Sequence, residues 1–215
     1  MDWHSTQNQD YISLLKSRLN GPLLHWVDQF VKIINQSIGE GGITTLNDLG
    51  CCVGNFFRGV DFLQGSINYR GYDVSDIYLS IAREFFPAGN FLKLDISEQM
   101  PQEADVTVMS ATLEHLDNYT NALKNIFSST KKLFILRTFV GPESLFDRCQ
   151  TFQATDSYLI RQFTIEEIRS NLPEGWRYDL LEDSATNGKI KFVCNGLTIP
   201  RRQQIFVFSR SEDLL

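Results

Sequence analysis

The chain has 215 residues, of which 42% are hydrophobic and 21% charged, and its net charge is −6. That composition supplies one full core, argues against a nonspecific hold on nucleic acid, and contains no run near the roughly 18 apolar residues of a membrane span. Residues 1–110 carry 7 Lys/Arg against 13 Asp/Glu, while residues 111–215 carry 13 of each, so the first half suits a cationic ligand better than a polyphosphate.

The opening MDWHSTQNQD lacks the basic start and apolar middle of a signal peptide, and the expectation is a soluble cytoplasmic protein with no membrane partner. Cys51, Cys52, Cys149 and Cys194 make no CxxC pair, which fits free thiols in a reducing compartment. No His/Cys cluster has ligand spacing, and no metal site is expected.

In chain order, a helix is expected over about residues 8–19, stopped by Asn20-Gly21. A second spans 22–38, with Leu23, Val27, Phe30, Val31, Ile34 and Ile38 on one stripe and Pro22 in its first turn. Strands at 44–49, 67–73, 91–94, 104–110 and 132–138 then alternate with helices at 55–64, 76–86 and 118–129. Several strands, such as VTVM and LFIL, are apolar throughout, as in a parallel sheet covered on both faces. Residues 139–163 read as a long, weakly patterned connection of the functional kind. TIEE at 164–167 reads as a capping box on a short helix ending near Asn171. Strands at 176–183 and 203–209 follow, with hairpin turn signals at Asn187-Gly188 and Asn195-Gly196 between them.

The expected fold is therefore α/β: a doubly wound, seven-stranded, mostly parallel sheet with an antiparallel C-terminal strand and an N-terminal helical cap. Residues 1–215 are expected to form one domain, with a cap at 1–40, a cofactor-binding core at 41–138, and an acceptor-binding segment with the C-terminal hairpin at 139–215.

The stretch TLNDLGCCVGNF (45–56) is a strand running into an acid and then into glycines. Gly50 and Gly54 let the backbone turn tightly against a ligand at a strand tip. The lysine of a GxxxxGK[ST] phosphate loop is missing, and Gly50-Cys51-Cys52-Val53-Gly54 does not match the GxGxxG of dinucleotide sites. A cofactor with a sulfonium and an ammonium against one carboxylate needs acids and close backbone instead.

NDLGCCVGNF resembles the first motif of class I S-adenosylmethionine-dependent methyltransferases, commonly D-x-G-C-G-x-G, with Cys52 where the family usually has its middle glycine. YRGYDVSDIYLSIARE (69–84) is similar to the second motif, with Asp73 lying 23 residues after Gly50. FLKLDISEQMP (91–101) and ADVTVMSATLEHLDN (104–118) are similar to the third and fourth, and the likeness extends over about residues 40–210. The resemblance implies S-adenosyl-L-methionine as cofactor. It gives the cofactor site as Asp48, Gly50, Cys51, Gly54, Asn55, Asp73, Val74, Asp95, Ile96, Ser110 and Ala111. Asp73 would take the ribose hydroxyls, Asp95 the adenine amino group, and Ile96 the ring face.

Methyl transfer needs alignment and, for some acceptors, a base. His115 is the base candidate, since its ordinary pKa of about 6.5 suits a hydroxyl or ammonium acceptor, and Glu114 is expected to orient His115 or the cofactor. A packing or capping role for His115 weighs about evenly. Family branches that hold a metal here carry an acid three residues before the Glu-His pair, where this chain has Ala111. The expected activity is metal-independent methyl transfer to an O or N atom of a small-molecule or sugar-like acceptor. The alternatives are a non-catalytic cofactor-binding or regulatory protein on the same fold, favoured by Cys52, and an NAD(P)-dependent oxidoreductase, which the broken fingerprint disfavours.

Overall fold

The computed structural model describes residues 9–37, 43–150, 157–183, 191–194, 197–200 and 203–210. Helix α1 (Gln9–Asn20) buries Ile12, Leu15 and Leu19, and α2 (His25–Ser37) buries Val27, Phe30, Val31, Ile33 and Ile34. Helix α2 begins at His25, not at Pro22. Its first turn hangs on the Leu24 carbonyl, which accepts from the Val27 and Asp28 amides. Pro22 stays in the preceding bend.

The main sheet is built from β1 (Thr45–Leu49), β2 (Asn68–Asp73), β3 (Asn90–Lys93), β4 (Ala104–Ser110), β5 (Thr130–Phe139), β8 (Trp176–Glu182) and β11 (Gln203–Arg210). Their order is β3-β2-β1-β4-β5-β11-β8. The pairs among β1 to β5 are parallel, while β11 runs antiparallel to both its neighbours. This is the seven-stranded, mostly parallel sheet expected, with the antiparallel strand placed inside it rather than at its edge.

Alternate residues of each strand serve opposite faces. Leu46, Val106, Val108, Leu133, Ile135, Ile205 and Val207 pack with Val27, Phe30, Val31 and Ile34 of α2. Leu49, Met109, Phe134, Leu136, Phe206 and Phe208 pack on the other face with Leu123, Ile126 and Phe127 of α4 (Tyr119–Ser129). Both faces being covered explains why these strands are apolar throughout.

The segment after β1 is a 3-10 turn over Phe56–Phe62 instead of an α-helix. Gly59 sits so close to α2 that an added Cβ would stand 2.6 Å from Val27 Cγ1. Helix α3 (Asp76–Phe85) follows β2, capped by Ser75. The capping box forms at α5 (Ile165–Arg169), between Thr164 and Glu167.

The connection at 139–163 holds more order than its pattern suggested. It contains an antiparallel hairpin of β6 (Leu145–Gln150) and β7 (Ser157–Gln162). Backbone bonds Phe163 N to Phe139 O (3.0 Å) and Gly141 N to Phe163 O (2.9 Å) tie it to the end of β5. Strands β9 (Lys191–Cys194) and β10 (Leu197–Pro200) pair antiparallel, with Leu197 opposite Cys194. The two Asn-Gly turn signals lie outside the described residues.

Candidate active site

In an open α/β sheet the ligand crevice lies beyond the C-terminal ends of the parallel strands. Asp48, Asp73 and Asp95 come from the ends of β1, β2 and β3, which are neighbours in the order. Asp73 is the hub. Its Oδ2 accepts from the Cys52 amide and its Oδ1 from the Ser75 amide, both at 2.9 Å. The carboxylate so joins the glycine loop to the start of α3. Val74 follows in the bend before Ser75, partly buried.

Asp48 faces inward. It is only 4% exposed and accepts from the Tyr69 hydroxyl at 2.7 Å. Burial pushes its carboxyl up to about 7; the Tyr69 bond pulls it down and the negative charge of Asp73 adds to the rise. Cys51 is buried in the same core cluster as Tyr69. An added Cβ on Gly71 would stand 3.0 Å from its Sγ. Burial raises the Cys51 thiol far above its ordinary range, and the neighbouring Asp48 and Asp73 add to this. Cys51 is a packed neutral thiol beneath the loop.

The loop itself keeps a glycine-like turn. Cys52 takes φ of 53°, between Gly50 at 70° and Gly54 at 83°. A left-handed conformation costs a side-chain-bearing residue about 1–2 kcal/mol. The thiol therefore does not change the turn; it strains it. Ala111, at the adjacent β4 tip, is the other non-glycine residue described with positive φ, at 55°. Such outliers gather where a backbone must meet a ligand. Gly50 meets that tip directly, because an added Cβ would stand 2.1 Å from Thr112 Oγ1. Asn55 closes the loop, with its Oδ1 buried and unpartnered.

Asp95 Oδ1 accepts from the Ser97 amide at 2.9 Å, which shapes the turn after β3. Asn121 and Asn125, one turn apart on α4, donate to the Ser97 and Ile96 carbonyls. Ile96 is buried in the second core. Ser110 ends β4, and its Oγ accepts from Arg137 Nη1 at 3.3 Å. Arg137 also donates twice to Asp183 Oδ2, at 3.0 and 2.7 Å, in a buried ion pair.

Glu114 is fully buried. Its Oε2 accepts from Thr138 Oγ1 at 2.9 Å, and its Oε1 is unpartnered. His115 stays partly exposed, with Nδ1 2.7 Å from the Leu159 carbonyl. A carbonyl only accepts, so Nδ1 carries hydrogen, and Nε2 is the ring nitrogen able to take a proton. Of the aromatics of the N-terminal helices and the 139–163 segment, Trp26 stacks on Phe56 and Phe139 is buried, while Phe146 is exposed. The Tyr158 side chain lies outside the described residues. Among these residues no group of three or more His, Cys, Asp and Glu side chains is arranged for a metal ion.

Sequence reasoning had no signal for Thr112, Arg137, Thr138 or Asp183, whose roles arise from strand adjacency. Asn121 and Asn125 were visible as a polar i,i+4 pair on an otherwise amphipathic helix.

Residues 47–133 match the family model described as a methyltransferase domain. Those residues form a methyltransferase domain on the class I methyltransferase fold. No curated protein matches the sequence. Solved methyltransferases share the fold across nearly the whole chain. DesVI of Streptomyces venezuelae superposes with a TM-score of 0.67 at 12% identity, covering 96% of this chain and 100% of that one. CalS10 of Micromonospora echinaspora, an amino pentose methyltransferase solved with S-adenosylmethionine, gives 0.66 at 14%, covering 96% and 99%. The plantazolicin methyltransferase BpumL, solved with S-adenosylhomocysteine, gives 0.66 at 13%, covering 98% and 93%. At these identities the likeness is one of fold. The methyltransferase domain spans β1 to the start of β5, and no described helix is long and apolar enough to cross a membrane.

Proposed function

We propose that this protein transfers a methyl group from S-adenosylmethionine to an O or N atom of a small-molecule acceptor. The carrying observation is Asp73, fixed at the β2 tip by the amides of the glycine loop and of α3. A carboxylate held there accepts ribose hydroxyls, while Asp48 lies beneath the loop, drawn in by Tyr69. The buried, unpartnered Asn55 Oδ1 offers an acceptor to the ammonium end. This donor set fits a cationic adenosyl ligand and repels a polyphosphate.

The bound cofactor would supply an activated methyl carbon. The chain's own part is alignment. Gly50, Cys52 and Ala111 bring backbone close at the β1 and β4 tips. Asp95 with Ile96 would hold the adenine side, in a turn fixed by Asn121 and Asn125. Ser110, steadied by Arg137, borders the reacting end. His115, oriented through Leu159, takes a proton at Nε2 from the acceptor's O–H or N–H. Buried Glu114 acts on His115's helical turn from behind through Thr138, as a positioning residue. The reading needs no metal, and the free thiols Cys51 and Cys52 suit a reducing cytoplasm. We assign residues 41–138 to the cofactor, with the N-terminal helices and the 139–215 segment enclosing the acceptor, all in one domain.

Calorimetry with S-adenosylmethionine, S-adenosylhomocysteine and NAD tests the reading. Both adenosyl ligands should bind and NAD should not; the reverse pattern ends the proposal. Binding without turnover on any amine or hydroxyl acceptor would favour a regulatory protein on this fold.

A further inference from the structure

Arg161 is stacked rather than bonded. Its guanidinium carbon stands 4.6 Å from the Tyr119 ring centre, 4.7 Å from Phe146 and 5.8 Å from Phe163. Phe146 is its cross-strand partner in the β6–β7 hairpin. Tyr119 opens α4 and meets Phe163 edge-on, with ring centres 5.0 Å apart. Rings from the start of α4, from β6 and from the end of Arg161's own strand thus surround one cation.

The cage leaves the donors unused. Arg161 Nε is buried without a hydrogen-bond partner. Among the described residues no carboxylate or carbonyl bonds to the guanidinium. Aromatic faces attract the charge but do not replace acceptors for five N–H groups. A partly buried arginine with its Nε unpaired is poorly compensated by itself. A carboxylate or phosphate in the guanidinium plane would complete it, because both match the fork with two parallel bonds. Phe146, 55% exposed, leaves that side open to solvent.

The position relates this cage to the reaction. Arg161 lies two residues after Leu159, the residue that holds His115. Two residues along a strand span about 7 Å, the length of a small metabolite.

We propose that Arg161 is the anchor for an anionic group, carboxylate or phosphate, on the methyl acceptor. The word acceptor rests on the methyl-transfer reading; the anion site does not. Held there, the far end of the acceptor presents its nucleophile beside His115 Nε2.

The test is an NMR titration of the full chain, labelled on Phe and Tyr rings, with inorganic phosphate and separately with acetate. Ring signals of Tyr119 and Phe146 should shift saturably with at least one anion. A response to phosphate alone assigns a phosphorylated acceptor, and a response to acetate alone a carboxylate. Arg161→Gln should weaken that binding by about tenfold or more, as loss of a charge-assisted fork does. Arg161→Lys keeps the charge, loses the plane and should fall between; it carries the test if the Gln variant does not fold. No saturable shift with either anion, or the same titration in the variants, overturns the proposal. S-adenosylhomocysteine affinity, measured alongside, should be equal in wild type and Arg161→Lys. Loss of it from the wild type would sink the methyl-transfer reading while the anion result stood.

Discussion

Asp48 is a carboxyl whose chemistry departs from that of its surface counterparts. Its folded pKa, raised to about 7 by burial first and by Asp73 second, means the folded chain holds this proton more tightly than the unfolded chain. Its contribution to stability is full below the ordinary carboxylate pKa and is lost as pH rises through about 7. Urea unfolding across that window should show wild type losing stability relative to Asp48→Asn as pH rises. Parallel curves would mean the carboxyl is not buried as described. Gly50 sets a second residue-scale expectation. Gly50→Ala must both hold φ of 70° and displace Thr112. It should cost at least about 1–2 kcal/mol and abolish S-adenosylhomocysteine binding, read by denaturant titration and calorimetry. Cys52→Gly should bind at least as well as wild type, since the turn already has a glycine's geometry. Weaker binding would show that the thiol, packed against the core of Ile12, Leu15, Val53 and Tyr78, serves the loop in another way.

At the scale of elements, α1 lies over the glycine loop. Ile12, Leu15 and Leu19 share a core with Val53, Tyr78 and Ile81. Its end is fastened by Arg58, which donates to the carbonyls of Arg18, Gly21 and Pro22. Arg58→Met removes those bonds yet keeps most of the stem. Amides of Gln9–Asn20 should then exchange with solvent faster in hydrogen-exchange mass spectrometry, while those of β4 stay protected. Uniform protection would assign the hold on α1 to its apolar face alone. The strand-to-helix alternation that places these elements was legible in the chain itself. Strands from β1 to β5 and helices α3 and α4 fall within two residues of the expected limits. The β6–β7 hairpin was not legible, because FDRCQ and SYLIRQ mix charged and apolar residues without a period-two pattern.

At the scale of the molecule, β11 joins halves that sequence order keeps apart. It lies between β5 and β8 and pairs antiparallel with each. The buried Arg137–Asp183 pair spans the same junction, linking β5 to the end of β8 while reaching Ser110. Breaking one side leaves an uncompensated buried charge. Asp183→Asn should therefore cost about 3–5 kcal/mol, and Arg137→Met with Asp183→Leu should recover much of that loss. A loss of under about 1 kcal/mol, as at an exposed pair, would show that solvent reaches the junction.

The sequence by itself determined the sheet, its crossovers and the three acids at successive strand tips, since periodicity, glycine turns and strand-end carboxylates are local signals. Only the tertiary structure decided which acid faces the crevice and which lies beneath it: Asp73 is held out by the Cys52 and Ser75 amides, while Asp48 is drawn in by Tyr69. It also decided that Glu114 is buried, that Arg137 stands behind Ser110, and that Arg161 meets rings from α4 and β6. Each depends on which strands become neighbours, and a one-dimensional pattern does not encode the partner across a gap of dozens of residues.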